Sequence, residues 1–286
     1  MYLTGLARVI RAAGLDVTEI PGWLEHGRGP FAGLETIVCH HTAGPSAAAD
    51  PSDFPSFGIV RNGRPGLAGP LSNLGLGRSG KVYVIAAGKA NHAGRVTLGK
   101  YANAYAIGIE AENNGTGEQW PTPQRSAYAR LCAALVDGAA SGELVAGRKF
   151  PLTVDDVRAH REVCDPPGRK IDPAGIIMNP FREAVRRSLV ELRASRDAPR
   201  PKPAGPAFRL GRVLEERSPR MRGDDVRAVQ RRLLALGFKL PAWGADGVYG
   251  DEAGDAVEAF QGHAGLKRDR QVGPKTTRAL GGTWVG

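Results

Sequence analysis

Hydrophobic and polar positions along the first 193 residues follow two different periodicities. Three runs rich in β-branched residues predict strands: "ETIVCHHT" (35–42), "KVYVIAAG" (81–88) and "YAIGIEAEN" (105–113). Two longer segments carry apolar residues at helical spacing and predict helices: "TPQRSAYARLCAALVDGAA" (122–140) and "NPFREAVRRSLVELR" (179–193). This mixture predicts an α/β domain in which helices flank a mixed central sheet.

Three details complete this first domain. The second helix is expected to begin with Asn179 as its N-cap and Pro180 at the first helical position. The glycine-rich stretch 61–80 predicts a long irregular loop, which in compact domains often lines a functional cleft. Residues 1–30 are expected to add a helix and a strand to the same sheet.

A proline-rich stretch, "ASRDAPRPKPAGPAF" (194–208), separates the chain into two parts. Proline lacks the N–H that helices and central strands require, so we expect an extended spacer here. The predicted organisation is therefore a domain at 1–193, a linker at 194–207 and a domain at 208–286. Three helical patterns predict a small three-helix C-terminal domain: "DDVRAVQRRLLALGF" (224–238), "DEAGDAVEAFQGHAGL" (251–266) and "PKTTRAL" (274–280).

Composition narrows the class of protein. Hydrophobic residues make up 42% and charged residues 24%, as in ordinary globular proteins. The N-terminus lacks the continuous apolar run of a signal peptide, and no run approaches the roughly 18 apolar residues of a membrane span. The net charge of +10 favours polyanionic partners such as nucleic acid, anionic lipid or acidic wall polymers. Arginine is spread along the whole chain, which weakens the nucleic-acid hypothesis.

The segment "RAHREVCDPPGRKIDPAG" could supply metal ligands. A stiff proline loop separates His160 from Asp172, and a histidine of "IVCHHT" could complete a zinc site with an open fourth position. Strand alternation sends His40 and His41 to opposite faces, so only one of them can easily reach the metal, and alternation does not say which. Cys164 is a competing ligand. The structural alternative is a hydrogen-bonded core histidine beside a surface ion pair of the lysine and aspartate at 170 and 172.

The strand "YAIGIEAEN" places two carboxylates, Glu110 and Glu112, on one face. A glutamate lining a zinc cleft could act as a general base on water. The alternative is a solvent-facing sheet edge, and the pattern does not separate the two glutamates.

Four motifs occur in a recognisable order: "IVCHHTAG", "NHAG" (91–94), "IGIEAEN" and "HREVCDPPGRKIDP". Together they resemble the zinc amidases of the type 2 N-acetylmuramoyl-L-alanine amidase family, which includes peptidoglycan recognition proteins, and are most similar to endolysins of actinobacteriophages. The tail resembles a three-helix peptidoglycan-binding domain through "GDDVRAVQRRLLALGF", "DGVYGDEAGDAVEAFQ" and "VGPKTTRAL". The resemblance covers about residues 30–280.

The resemblance implies a role for each site residue. It implies Zn²⁺ as the cofactor, with three ligands: His40, His160 and Asp172. It implies Glu110 as the general base and Lys170 as the group that stabilises the oxyanion. Three residues would contact substrate or pack beside the site: His41, His92 and Asn114.

The implied function is hydrolysis of the amide bond between N-acetylmuramic acid and L-alanine in peptidoglycan, for host cell lysis. The alternatives are a non-catalytic peptidoglycan recognition protein on the same fold and, from charge alone, a nucleic-acid-binding protein. We expect peptidoglycan as the partner, no nucleic acid, no membrane insertion and a monomer. Synthesis is expected in the host cytoplasm, with action on the wall after release.

Overall fold

The computed structural model describes residues 1–197 and 208–286, and the chain divides into two compact units, Met1–Asp197 and Ala198–Gly286. Each unit encloses a hydrophobic core of its own. The predicted linker began too early, because residues 194–197 continue the last helix of the first unit. The rest of that predicted linker, 198–207, lies outside the described residues.

A six-stranded sheet forms the centre of the first unit. The strands of this unit are β1 (Val17–Glu19), β2 (Thr36–His41), β3 (Gly63–Arg64), β4 (Leu67–Ala68), β5 (Leu74–Leu76), β6 (Val82–Val84), β7 (Ala106–Ala111) and β8 (Val157–Ala159). The sheet order is β1-β6-β5-β7-β2-β8, and all neighbours pair in parallel except β5 with β6. The mixed sheet confirms the predicted fold class.

The two central strands, β2 and β7, are covered on both faces. Every residue of β2 is buried, as is every residue of β7 except Glu110. Parallel strands covered on both faces read as nearly continuous apolar runs, which is the pattern of "TIVC" and "AIGI". The alternative of a solvent-facing edge at Glu110 is therefore wrong, because β7 lies between β5 and β2.

Helices pack against this sheet. They are α1 (Leu6–Ala12), α2 (Phe57–Asn62), α3 (Thr122–Ser141), α4 (His160–Val163) and α5 (Met178–Asp197). The long helix α3 contacts α1 and α5 and buries Leu131 and Leu135, one helical turn apart. It ends at Gly142, whose left-handed φ of 80° closes the helix. Helix α5 begins at Met178, so the predicted N-cap Asn179 lies inside its first turn.

The glycine-rich stretch 61–80 is not the irregular loop that its composition predicts. It contains the hairpin β3–β4 and the sheet strand β5. At the middle of β5, a Cβ on Gly75 would lie 2.2 Å from Cε1 of Phe54. Glycine here permits close packing of an aromatic ring on a strand. The predicted N-terminal helix and strand are confirmed as α1 and β1, which pairs with β6.

The second unit contains the three predicted helices, α6 (Asp224–Ala235), α7 (Asp251–His263) and α8 (Pro274–Ala279). Two short parallel strands, β9 (Arg209–Leu210) and β10 (Thr283–Trp284), bring its two ends together. Its core includes Val226, Val229 and Leu233, as the helical spacing predicts, whereas Leu236 follows the end of α6 and is exposed. Among the described residues, no helix is long and apolar enough to cross a membrane.

Candidate functional site

Three buried side chains converge at the end of β2. The Nδ1 atom of His40 lies 3.0 Å from Nδ1 of His160 and 2.9 Å from Oδ2 of Asp172. Nδ1 of His160 lies 3.0 Å from the same carboxylate oxygen. Each residue offers one ligand atom, and the three atoms lie within 4.8 Å of one another. The structure thus brings together the three residues that the resemblance implied as ligands.

Neighbouring elements fix the position of each of these side chains. Strand β2 carries His40, and β8 pairs with β2 and delivers His160 as the first residue of α4. Asp172 follows in a loop that is bound to α4, because the backbone N–H of Arg161 donates to its carbonyl oxygen at 3.1 Å. The Arg161 guanidinium also donates to the carbonyl of Pro173. The geometry of the cluster therefore depends on contacts between β2, β8 and this loop.

Burial and the close contacts within the cluster determine its charge. Burial lowers the pKa of His40 to about 4, so its imidazole is neutral at pH 7. Burial acts to raise the pKa of Asp172, but the adjacent imidazoles of His160 and His40 outweigh it and hold that pKa well below its usual range. Asp172 is consequently a carboxylate. Two imidazoles and one carboxylate form the candidate ligand set.

Glu110 occupies the register position next to His40 on the adjacent strand β7. Its Oε2 atom is buried and has no hydrogen-bond partner among the described residues. Burial is the largest cause that raises the pKa of Glu110 well above its ordinary value, and the Asp172 carboxylate is the next. The Lys170 charge acts in the opposite direction. A carboxyl oxygen that is buried without a partner costs free energy, which makes Glu110 a candidate for chemistry.

Glu112 has a different environment from Glu110, although both lie on one face. Its carboxylate accepts hydrogen bonds from the hydroxyl of Thr42 at 2.8 Å and from the N–H and hydroxyl of Ser56, both at 3.0 Å. These bonds tie the segment after β2 to the start of α2. Glu112 is therefore a fully bonded anchor, and the structure separates two carboxylates that the sequence pattern left equivalent.

Lys170 is half-buried beside this cluster. Its positive charge acts to lower the pKa of His40, His41 and Glu110. Cys164, the competing ligand, faces the carbonyl oxygens of Arg161 and Pro166 at 3.8 and 3.6 Å and does not belong to the cluster.

The side chains implied as substrate contacts also bind the protein itself. His41 accepts a hydrogen bond at Nδ1 from the backbone N–H of Ala174 at 2.9 Å. The ring nitrogens of His92 lie 3.1 Å from Nε2 of His40 and 3.0 Å from the Ala106 carbonyl oxygen. Burial lowers the pKa of His92 well below its ordinary value. Their contact with substrate stays a prediction.

Asn114, the third implied substrate contact, shapes a loop. Its Oδ1 atom accepts from the N–H of Thr116 at 2.8 Å and from the N–H of Glu118 at 3.3 Å. The sequence analysis missed an arginine that joins this loop to the segment around Ser52. Arg78 donates to Glu118 at 3.1 Å and also to the carbonyl of Ser52 at 2.8 Å. No local motif marks Arg78, because its acceptors come from distant segments.

The second unit contains a surface cavity of about 420 Å³. Its lining includes Trp243, whose surface is 73% exposed, and two arginines, Arg220 and Arg222. The Nη2 atom of Arg220 lies 3.4 Å from Asp251, whereas the Arg222 guanidinium makes no hydrogen bond among the described residues. The cavity thus offers an exposed indole ring in a lining of mixed charge, where the two arginines face Asp246, Asp251 and Glu252.

Comparison with known proteins assigns the two units to different families. The family model for N-acetylmuramoyl-L-alanine amidase matches residues 31–175, just over half of the chain. A model for a peptidoglycan binding domain matches residues 222–280.

Individual relatives match over shorter stretches or at lower identity. The N-acetylmuramoyl-L-alanine amidase CwlL of Bacillus licheniformis is 50% identical over 58 residues, which are 20% of this chain and 16% of that protein. The amidase CwlA of Bacillus subtilis is 42% identical over 62 residues, which are 20% of this chain and 22% of that protein. The chain spans less than a quarter of the length of these relatives.

Solved structures also match the chain at low identity. A crystal structure of an AmpD derivative is 18% identical with a TM-score of 0.41, and covers 60% of this chain and 94% of its own. AmiD from E. coli, in complex with an anhydro-N-acetylmuramic acid peptide substrate, is 16% identical with a TM-score of 0.40, at 90% coverage of each chain. The match over residues 31–175 shows that the chain belongs to the N-acetylmuramoyl-L-alanine amidase family.

Proposed function

We propose that the first unit is a zinc-dependent hydrolase that cuts the amide bond between N-acetylmuramic acid and L-alanine in peptidoglycan. The observation that carries this proposal is the convergence of His40, His160 and Asp172 beside the buried, partnerless carboxylate oxygen of Glu110. Family membership supports the choice of bond and polymer.

The ligand atoms fit a zinc ion. Nε2 of His160 lies 3.0 Å from the carbonyl of Ala93, which can only accept a hydrogen bond, so in a neutral ring Nε2 carries the proton and Nδ1 presents a lone pair. That lone pair and the Asp172 oxygen lie 3.0 Å apart, and two acceptors at this distance repel unless positive charge lies between them. Around tetrahedral zinc, with bonds of about 2.0–2.2 Å, ligand atoms lie roughly 3.3 Å apart. Two histidines and one carboxylate also leave a fourth position for water or substrate.

The residues around the cluster suit amide hydrolysis. A bound Zn²⁺ would supply the positive charge that lowers the pKa of water to about 7 and polarises the scissile carbonyl. Glu110 takes the proton of the attacking water and delivers it to the leaving amine of L-alanine. Because burial raises its pKa, this carboxyl holds the proton between the two transfers. Lys170 donates to the oxyanion, a contribution of about 3–4 kcal/mol per donor in other enzymes.

The test of this proposal identifies the new chemical end. We expect the full chain to release stem peptides that carry a new N-terminal L-alanine from purified peptidoglycan, and to lose this activity when a chelator removes the metal. New reducing sugar ends without new amines would instead indicate a glycosidase. No release by protein that holds one zinc ion per chain would favour the alternative, a non-catalytic recognition protein.

We propose that the second unit holds the chain on the wall through the cavity at Trp243. An exposed indole ring can stack on a sugar face, and the arginines and carboxylates around it can bind the polar groups of the wall. Attachment raises the concentration of the catalytic unit at its substrate. The family match over residues 222–280 supports this role.

Replacement of Trp243 by alanine is expected to weaken binding of the full chain to purified cell walls by about 10-fold, equivalent to about 1.4 kcal/mol. Co-sedimentation with the wall measures this in a Glu110→Gln background, so that the polymer stays intact. The control is Val285→Ala, which removes another exposed apolar side chain that does not line the cavity. Equal binding by both variants would contradict the assignment of the cavity.

We also propose, from the resemblance to phage endolysins, that wall cleavage serves lysis of a host cell. Two features support this role: a family match to an amidase and a separate match to a wall-binding domain in the same chain. Expression in the cytoplasm of a susceptible cell, with and without a separate membrane pore, tests this role. Lysis is measured as the loss of turbidity of the culture.

A further inference from the structure

The imidazole of His92 is buried behind the candidate metal centre, on the side of His40 opposite His160 and Asp172. Its Nδ1 atom lies 3.1 Å from Nε2 of His40, and the two rings meet edge to face at 81°. The backbone N–H of His92 donates to Oδ1 of Asn103 at 3.1 Å, which fixes the turn that carries the ring. His92 therefore contacts the imidazole of His40, which is one of the candidate ligand residues. It does not contact the atoms that would bind the metal.

The hydrogen bonds around His92 leave one arrangement of protons. Its Nε2 atom lies 3.0 Å from the carbonyl oxygen of Ala106, which can only accept. In a neutral ring Nε2 therefore carries the proton, and Nδ1 is an acceptor. The facing atom, Nε2 of His40, must then be the donor. With its proton on Nε2, His40 presents an unprotonated Nδ1 to His160 and Asp172.

We propose that His92 is a positioning residue: it relays the polarity of the Ala106 carbonyl to His40 and holds that ligand in the tautomer that binds the metal through Nδ1. This inference rests on the proposed zinc site and gives His92 a role different from the substrate contact that the resemblance implied. The second histidine ligand obtains the same tautomer directly, since its Nε2 atom faces the carbonyl of Ala93. His40 has no such carbonyl partner for Nε2 among the described residues and depends on a second imidazole.

The glycine of the "IGIE" motif supports this placement. A Cβ atom on Gly108 would lie 2.6 Å from Cγ of His92 and 2.7 Å from its Cδ2 atom. Any larger residue at 108 would push the ring away from its bonds to His40 and Ala106. The motif thus supplies both the partnerless carboxyl at 110 and the space for the positioning histidine.

A matched pair of variants tests the proposal. Asn and Leu have nearly the same shape, but only His92→Asn keeps an acceptor oxygen near the position of Nδ1. We expect His92→Leu to weaken zinc binding by about 10- to 100-fold, as losses of such outer partners do in other metal sites, and His92→Asn to retain much of the wild-type affinity. Competition with a coloured chelator measures the affinity without reference to activity.

The tautomers themselves give a second readout, which requires no variant. In zinc-loaded protein labelled with ¹⁵N-histidine, we expect His92 to carry its proton on Nε2 and a ¹⁵N–¹⁵N coupling to cross the hydrogen bond from His40. A proton on Nδ1 of His92, or equal zinc affinity in the Asn and Leu variants, overturns the proposal. Failure of the wild type to bind zinc contradicts the proposed function instead, and the tautomer of His92 can still be measured in that metal-free protein.

Discussion

Glu110→Gln is expected to bind zinc at the wild-type stoichiometry and to hydrolyse the amide bond about 10²- to 10⁴-fold more slowly. The amide of glutamine keeps the size of the side chain but cannot accept the proton of the attacking water. Zinc binding is unaffected because Glu110 is not one of the three ligand residues. Rates at which new N-terminal L-alanine amino groups appear, measured beside metal content, separate the two effects.

Glu112→Gln is the control for this prediction, because the two glutamates lie two residues apart on one face. Glu112 already accepts bonds from Thr42 and Ser56, so its replacement removes anchoring of a loop. We therefore expect a lower melting temperature and nearly normal hydrolysis by the protein that stays folded. A large rate loss in Glu112→Gln together with normal rates in Glu110→Gln would mean that the general base is misassigned.

The two glutamates also show how far sequence patterns reach. Strand alternation places both carboxylates on one face. Glu110 is in register with His40, and Glu112 bonds to Thr42, two residues further along the chain. Alternation carries no information about which loop folds over that face. The difference depends on Ser56, which lies 56 positions from its acceptor and gives no signal in the strand itself.

The same limit applies to the fold. Runs of β-branched residues correctly predict β2, β6 and β7, because such strands are buried and need branched side chains on both faces. Strand β5 was missed because glycine weakens every local strand signal, whereas Gly75 is present to accept the ring of Phe54. That reason is tertiary and lies in another segment of the chain.

The spacing of residues along the chain could not by itself predict that the candidate ligands lie close together. His40 and Asp172 are 132 positions apart, and the proline loop before Asp172 allows many directions. The residue pattern therefore left open both Cys164 and a structural role for His160. Only the order of four motifs pointed to the three candidate ligands that the fold brings together. Neither the spacing nor the motifs predicted the hydrogen bond between His40 and His92.

His40→Ala is expected to abolish zinc binding, whereas His41→Ala is expected to retain zinc and only weaken activity. Removal of the first imidazole leaves only two of the three candidate ligands, Asp172 and His160. Metal content should therefore fall below detection. The second imidazole only accepts the N–H of Ala174, two residues beyond Asp172. Its loss removes one hydrogen bond, worth about 1 kcal/mol, while Trp120 still binds the carbonyl of the same residue at 2.8 Å.

Metal content after gel filtration and the rate at which new N-terminal L-alanine appears decide between these expectations, with Cys164→Ala as the control for a buried ligand-type residue outside the cluster. We expect that variant to keep both zinc and activity. Neighbouring residues of a strand point to opposite faces, so only one of the two histidines should hold the metal. Equal loss of zinc in the His40 and His41 variants would contradict this assignment. Loss of zinc in Cys164→Ala would move the third ligand away from Asp172, and the loop after α4 would then have to rearrange when the metal binds.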